Sequence, residues 1–153
     1  MNEYTPPKKP VGAGALFFNE VGQILLVKPN YKPGWLVPGG AVEESESPRE
    51  ACLREVKEEI GLDINISQLL CVDTISEQID SNNGINFTFY GGILNQEQIS
   101  KIVLQKSELD EYRFVKVEDL HNYWPERKIS RFNFCLKALK EKTVYNLKNG
   151  LEE

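Results

Sequence analysis

Three glutamates, Glu55, Glu58 and Glu59, fall within one short stretch that reads as a helix. Ser47-Pro48-Arg49-Glu50 supplies a capping serine, a proline at the first helical position and a glutamate three residues after the serine, the pattern of a capping box. Gly61 stands where a left-handed residue would stop the helix, so the spacing predicts one helix over residues 48–60. At about 100° per residue, Leu53, Val56 and Ile60 share one face and the three glutamates occupy an arc nearly opposite. Like charges three or four residues apart cost about 0.2–0.5 kcal/mol per pair, so a cation among them would relieve the cluster. Carboxylate oxygens of this kind suit Mg²⁺ or Mn²⁺, which take a few carboxylates and keep several waters. The plainer alternative is a solvated charged face, with Arg54 pairing to Glu50 and Glu58 at i,i+4.

The wider frame distinguishes the two readings. Gly40, five residues, Glu46, seven residues, then Arg54-Glu55-Val56-Lys57-Glu58-Glu59-Ile60-Gly61-Leu62 resembles the Nudix box, G-x5-E-x7-R-E-U-x-E-E-x-G-U with U aliphatic, at every defined position. With residue frequencies of about 6–7% for Gly, Glu and Arg, chance gives such a match on the order of 10⁻⁷ times in a chain of this length. The Pro38-Gly39-Gly40 approach, the apolar stretch before it and the Arg113-Phe114-Val115 segment after an acidic run are similar to the family in weaker form.

The resemblance implies an α/β fold, an α/β/α sandwich with a mixed sheet between helices. It also implies an enzyme that cleaves a diphosphate linkage in a nucleoside diphosphate joined to another moiety, using Mg²⁺ or Mn²⁺. By the same resemblance Glu55 and Glu59 are metal ligands, with Glu58 a third, directly or through water, and the Gly40 carbonyl a further one. Arg54 orients the carboxylates, and Glu46 supports the loop and helix. A late acid is expected from Glu108 or Glu111, with Glu108 favoured. The chemistry is consistent on its own terms: a diphosphate resists attack by water, metal ions offset its charge and acidify water, and a carboxylate, Glu55 or Glu58, takes the proton.

Specificity is less legible. Trp35, Tyr31, Phe89 and Tyr90 could stack on a base, although aromatic residues fill cores as readily. Lys28, Lys32, Arg127 and Lys128 could meet phosphates or simply be solvated. A proline that ADP-ribose-cleaving members place 15 or 16 residues after the box is replaced by Glu77 and Gln78, and a tyrosine of some dinucleoside polyphosphate hydrolases by Ile79. The expectation is therefore a nucleoside triphosphate, including oxidised ones, cleaved to the monophosphate and pyrophosphate. The alternatives are ADP-ribose or a nucleotide sugar as substrate, or a non-catalytic nucleotide-binding regulator. His121 is the only histidine, so no His-based triad or His-pair zinc site can be assembled.

The elements that must position these residues follow from short-range patterns. Residues 1–10, rich in proline, read as a flexible lead-in, residues 11–142 as one domain and residues 143–153 as a polar tail. Residues 11–18 and 24–27 form an apolar hairpin around the turn residues Asn19 to Gly22. Short or longer strands are expected over 35–37, 64–75, 85–93 and 112–117, and a closing helix over 130–142. A chain of 153 residues suffices for one domain and a real core. Its 23 acidic and 18 basic side chains, net charge −5, argue against non-specific nucleic-acid or membrane-surface binding. Cys52, Cys71 and Cys135 suggest neither a disulfide framework nor a zinc knuckle. With no apolar leader or membrane-length run, the expectation is a cytoplasmic monomer or homodimer acting on a small molecule.

Overall fold

The computed structural model describes residues 2–76 and 83–153; Glu77, Gln78 and Ile79 lie outside the described residues. Its centre is a mixed sheet. The strands are β1 (Val11–Phe18), β2 (Ile24–Pro29), β3 (Gly39–Ala41), β4 (Gln68–Ile75), β5 (Gly84–Ile93), β6 (Leu109–Val115), β7 (Tyr145–Lys148) and β8 (Leu151–Glu152). They run in the order β6-β2-β1-β5-β4-β7-β8, with β3 added to β1. The β1–β5 and β4–β7 pairs are parallel and the others antiparallel.

Strand periodicity builds the layers. Ala13, Ala15 and Phe17 of β1 face one side, where they meet Cys52, Val56 and Ile60 of helix α1 (Pro48–Ile60). Leu16 faces the other side, with Leu26, Leu70 and Cys71, and packs against Phe132, Cys135 and Ala138 of helix α3 (Glu126–Glu141). A short helix α2 (Gln96–Ser100) and a 3-10 turn over Val117–Asn122 complete the chain. The result is the expected α/β/α sandwich, with one apolar core on each face of the sheet.

The first hairpin opens as it runs. β1 meets β2 only at Phe18 and Ile24, and further back β3 takes the place beside Gly12, Ala13 and Gly14. Leu36 fills the gap through two backbone hydrogen bonds with Val27, of 2.8 and 2.9 Å. The strand expected at 35–37 is thus reduced to this one bridge, because the Pro38-Gly39-Gly40 segment is needed against β1.

Helix α1 has the expected bounds. Ser47 Oγ accepts from the Glu50 N–H at 3.1 Å, and Gly61 closes the helix at φ 74°. Three other expectations change. The strand expected from residue 64 starts at Gln68, the chain from Gly61 onward crossing the core edge as a loop that buries Leu62 and Ile66. The closing helix starts at Glu126 after Pro125, earlier than residue 130. Residues 143–153 are not a tail. Leu147 is fully buried, β7 adds in parallel to β4, and Asn149 and Gly150, at φ 53° and 77°, form the tight turn into β8. Residues 2–10 carry no helix or strand. All three cysteines are free and buried. No helix among the described residues is long and apolar enough to cross a membrane.

Candidate active site

Gly39 and Gly40 are pressed between β1 and α1, and this contact sets the site. A side chain at Gly39 would place its Cβ 2.3 Å from the Ala13 carbonyl oxygen, so the strand can lie this close only as glycine. At Gly40 the obstruction is functional: a Cβ would sit 2.4 Å from the Glu55 carboxyl carbon. The Glu55 carboxylate therefore rests directly on the Gly40 backbone. Glu59, one turn on, accepts from the Gly39 N–H at 2.6 Å.

The expected outward-facing trio is redistributed. Glu59 is buried, 5% exposed, beneath the Gly39 backbone, whereas Glu58 remains half exposed. The helical wheel misplaces Glu59 because β3 covers that flank of α1. Arg54 spans the outer side. Its guanidinium donates to both oxygens of Glu46, at 2.7 and 2.9 Å, to Glu55 at 3.0 Å, to Glu58 at 3.3 Å and to the Ala41 carbonyl at 3.0 Å. Glu46 also accepts from the Glu43 N–H at 2.9 Å, tying the 41–46 loop to the helix. These contacts hold the Glu46 carboxyl below the usual carboxylate range, chiefly through the Arg54 hydrogen bonds, and raise the Arg54 guanidinium further above its ordinary value.

The inner carboxyls shift the other way. Burial, opposed by the Gly39 hydrogen bond and reinforced by the charges of Glu55, Glu108 and Glu58, pushes Glu59 up to about 8. Burial likewise raises Glu55 against the pull of Arg54, with Glu58 and Glu108 adding repulsion. Tyr31, whose ring is largely exposed, has its hydroxyl raised by partial burial and then by the charges of Glu59, Glu108 and Glu55. Glu108 therefore belongs to this electrostatic group, at the start of β6 where its carbonyl accepts from the Asn30 N–H at 2.9 Å. Glu111 points elsewhere, into a 3.2 Å ion pair with Arg113.

The buried Glu59 and part-buried Glu55, with the more exposed Glu58 and Glu108 adding repulsion, are oxygen donors that fit a small, hard divalent cation, which would favour their charged forms. The cradle at Gly40, open only because no Cβ is present, fits a carbonyl ligand beside Glu55. Among the described residues no three acidic, His or Cys side chains converge closely enough to hold an ion as they stand. Glu58 accepts from Arg54 through one oxygen and Glu59 from the Gly39 N–H through one oxygen.

A cavity of about 420 Å³ opens on the α3 face of the sheet. Its floor is Gly12, Gly14 and Leu16 of β1 with Asn86 and Thr88 of β5, which the parallel register sets side by side. Trp124, Arg127, Lys128, Arg131, Phe132 and Cys135 form the opposite wall. At one side it is bounded by Tyr31, Lys32, Gly39, Gly40 and Ala41, so it shares Tyr31 and the two glycines with the acid cluster. Tyr31, Lys32, Arg127 and Lys128 are thus brought to the cavity.

Trp35 and Tyr90, both considered for base stacking, lie outside its lining. Trp35 packs against the α3-side core, its carbonyl accepting from the Trp124 Nε1–H at 2.9 Å, with the Arg113 guanidinium 4.8 Å over its ring and Tyr123 edge-on at 5.5 Å. Tyr90 packs against Phe18, and Phe89 is buried in the α1-side core. Lys28 sits opposite Glu111 in the β2–β6 ladder, and His121 is exposed with Nδ1 3.0 Å from the Glu118 carbonyl oxygen. Sequence reasoning gave Arg131, Asn86 and Thr88 no role. Their common signal, polar residues alternating with apolar ones on elements that pack together, is visible only once β5 and α3 are placed.

The fold and this site define a member of the Nudix family: a NUDIX domain model matches residues 8–132, and the chain belongs to that family. An uncharacterised Nudix hydrolase of Listeria innocua is 33% identical over 109 residues, covering 67% of this chain and 61% of that protein. An RNA pyrophosphohydrolase of Marinomonas sp. is 42% identical over 50 residues, 33% of this chain and 31% of that protein. The match thus spans less than two thirds of either relative's length. Among solved structures, a MutT protein from Methanosarcina mazei Go1 superposes with a TM-score of 0.69 at 25% identity, covering 90% of this chain and 99% of that one.

Proposed function

We propose that this protein is a divalent-metal-dependent hydrolase of nucleoside triphosphates, including oxidised ones, releasing the monophosphate and pyrophosphate. One observation carries the reading: a nucleoside-sized cavity is bounded by Gly39 and Gly40, the two residues on whose backbone the Glu59 and Glu55 carboxyls rest, so a base and sugar in the cavity would bring their phosphates to the acids. A site built only to bind an anionic nucleotide would gain nothing from carboxylates there.

Glu59, Glu108, Glu58 and the Gly40 carbonyl are the groups that would hold Mg²⁺ or Mn²⁺. Such an ion supplies neutralisation of the diphosphate oxygens and makes water more acidic. Glu55 takes the proton of the attacking water. Its carboxyl is fixed on Gly40 by Arg54, and burial raises its affinity for a proton against the pull of that guanidinium, the direction a proton acceptor needs. Arg54 orients Glu55 and Glu58 from one guanidinium, and Glu46 fixes Arg54. Lys32, Arg127 and Lys128 border the cavity with positive charge that an anionic substrate requires.

The test is a panel of nucleoside triphosphates, oxidised dGTP, ADP-ribose, nucleotide sugars and diadenosine polyphosphates, assayed with Mg²⁺ for phosphate and pyrophosphate. Pyrophosphate release from a triphosphate supports the proposal. Turnover confined to ADP-ribose or nucleotide sugars moves the substrate class, and no turnover on any of them overturns it in favour of a regulator.

A further inference from the structure

The cavity floor carries a polar side chain that the rest of the protein does not use. Phe87 and Phe89 of β5 pack into the α1-side core, so the alternate residues Asn86 and Thr88 face α3, into the cavity. Thr88 is 4% exposed, whereas Asn86 is only partly buried. The strands on either side offer the Asn86 amide nothing. On β1 its neighbour is Gly12, which has no side chain. On β4 its neighbour is Asp73, whose two oxygens already accept from Arg131 Nε at 2.7 Å and from the Gly150 N–H at 3.1 Å. The Asn86 side chain makes no hydrogen bond among the described residues.

Gly12 shows where that amide lies. A Cβ there would stand 3.5 Å from Asn86 Nδ2 and 3.7 Å from the Gly40 carbonyl oxygen. The amide therefore reaches over β1, one missing side chain away from the loop on which the Glu55 and Glu59 carboxyls rest. Apolar lining is supplied beyond Gly14 by Leu16 and from α3 by Phe132. A nucleotide with its phosphates at the acids and its base on that apolar lining brings its pentose to Asn86.

The chemistry of the group agrees with the place. A phosphate oxygen only accepts and is met by cationic donors, but an amide offers a donor and an acceptor side by side. A hydroxyl can play either part, so two adjacent hydroxyls satisfy both ends of the amide at once.

We propose that Asn86 reads the sugar: its amide bonds the 2′- and 3′-hydroxyls of the pentose, Nδ2 donating to one and Oδ1 accepting from the other. Nucleotides with both hydroxyls are then bound ahead of those without them. This rests on the reading that the cavity holds the nucleoside of a diphosphate substrate, and deepens it by naming the sugar. A 2′,3′-dideoxy sugar sets only C–H groups against the amide and leaves it unpaired under the ligand. Asn86 is a specificity residue in this account.

The probes are the α,β-methylene analogues of guanosine triphosphate and of its 2′,3′-dideoxy form, which share base and phosphates. Calorimetry with Mg²⁺ should show the wild-type protein binding the guanosine analogue about ten-fold or more tighter. Asn86→Leu, nearly isosteric and without polar atoms, should bring the ratio to about one by weakening the guanosine analogue alone. Asn86→Ala removes the amide without adding branches above Gly12 and should give the same ratio. In turnover of guanosine triphosphate, either variant should raise KM about ten-fold while kcat stays within a few-fold, a split that general loosening of the fold does not produce. A wild-type ratio near one, failure of the guanosine analogue to bind, or a preference that survives either substitution overturns the proposal. If the preference behaves as expected but no nucleotide is cleaved, sugar reading stands and the hydrolase reading fails. If nucleotides are cleaved without preference, the reverse is true.

Discussion

Replacing Glu59 by Gln should make the metal-free protein more stable while abolishing its activity. Glutamine keeps an oxygen to accept from the Gly39 N–H, a bond of 2.6 Å, and fills nearly the same volume. What it removes is a charge that the fold resists. Glu59 is held at about 8 against an ordinary 4.5, so the folded state keeps its proton to a higher pH than the unfolded chain does. The stabilisation from this group is therefore complete below the unfolded value and is lost as pH rises through about 8, at up to about 1.4 kcal/mol per pH unit. Above pH 8 the ionised group costs the wild type no more than about 5 kcal/mol. Urea denaturation in EDTA from pH 4.5 to 9 should show Glu59→Gln matching the wild type at the acid end and exceeding it by a few kcal/mol at the alkaline end. Saturating Mg²⁺ should stabilise the wild type at pH 8, by about 2.7 kcal/mol at one hundred times Kd, and the variant far less. A variant less stable than the wild type at alkaline pH in EDTA, or a difference that does not change with pH, refutes the picture of a buried, repelled carboxyl.

Three further substitutions probe the frame around it. Gly40→Ala drives a Cβ into the Glu55 carboxylate at 2.4 Å; overpacking of this kind costs about 1–3 kcal/mol, so thermal unfolding should fall by several degrees and kcat by at least about a hundred-fold, since 1 Å misplacements cost that much. Arg54→Lys keeps the charge but not the fork that serves Glu46, Glu55 and Glu58 together; steady-state kinetics should show kcat lowered about 10–100-fold with circular dichroism unchanged. Glu108→Gln should raise the Mg²⁺ concentration needed for half-maximal rate about ten-fold or more, whereas Glu111→Gln, whose side chain serves Arg113, should leave it unchanged.

Helix α1 was legible because its signals are local: Ser47, Pro48 and Gly61 fix its ends whatever packs against it. The residues of the box were legible for the same reason, since their spacing along one helix and its entry loop survives without knowledge of the fold. Burial was not. The wheel puts Glu59 opposite the core, but Gly39 of β3 covers it, and that contact depends on a strand paired through two glycines to β1. β7 and β8 were missed because the stretch is short and polar and, of its apolar residues, Leu147 alone is buried while Val144 and Leu151 are exposed, although Asn149-Gly150 is a strong tight-turn dipeptide. The cavity was hidden most completely. Its walls come from β1, β3, β5 and α3, and the stacking role considered for Trp35 was lost to Arg113, which occupies its ring face from β6.

The central claim is that the Gly40–Glu55–Glu59 cluster hydrolyses a diphosphate with a divalent cation. It is tested most directly by pyrophosphate release from a nucleoside triphosphate panel, comparing wild type with Glu55→Gln in Mg²⁺ and in EDTA. The expected result is turnover only by the wild type in Mg²⁺, with Glu55→Gln reduced about a hundred-fold or more while still folded. Full activity in EDTA, or in Glu55→Gln, would contradict it.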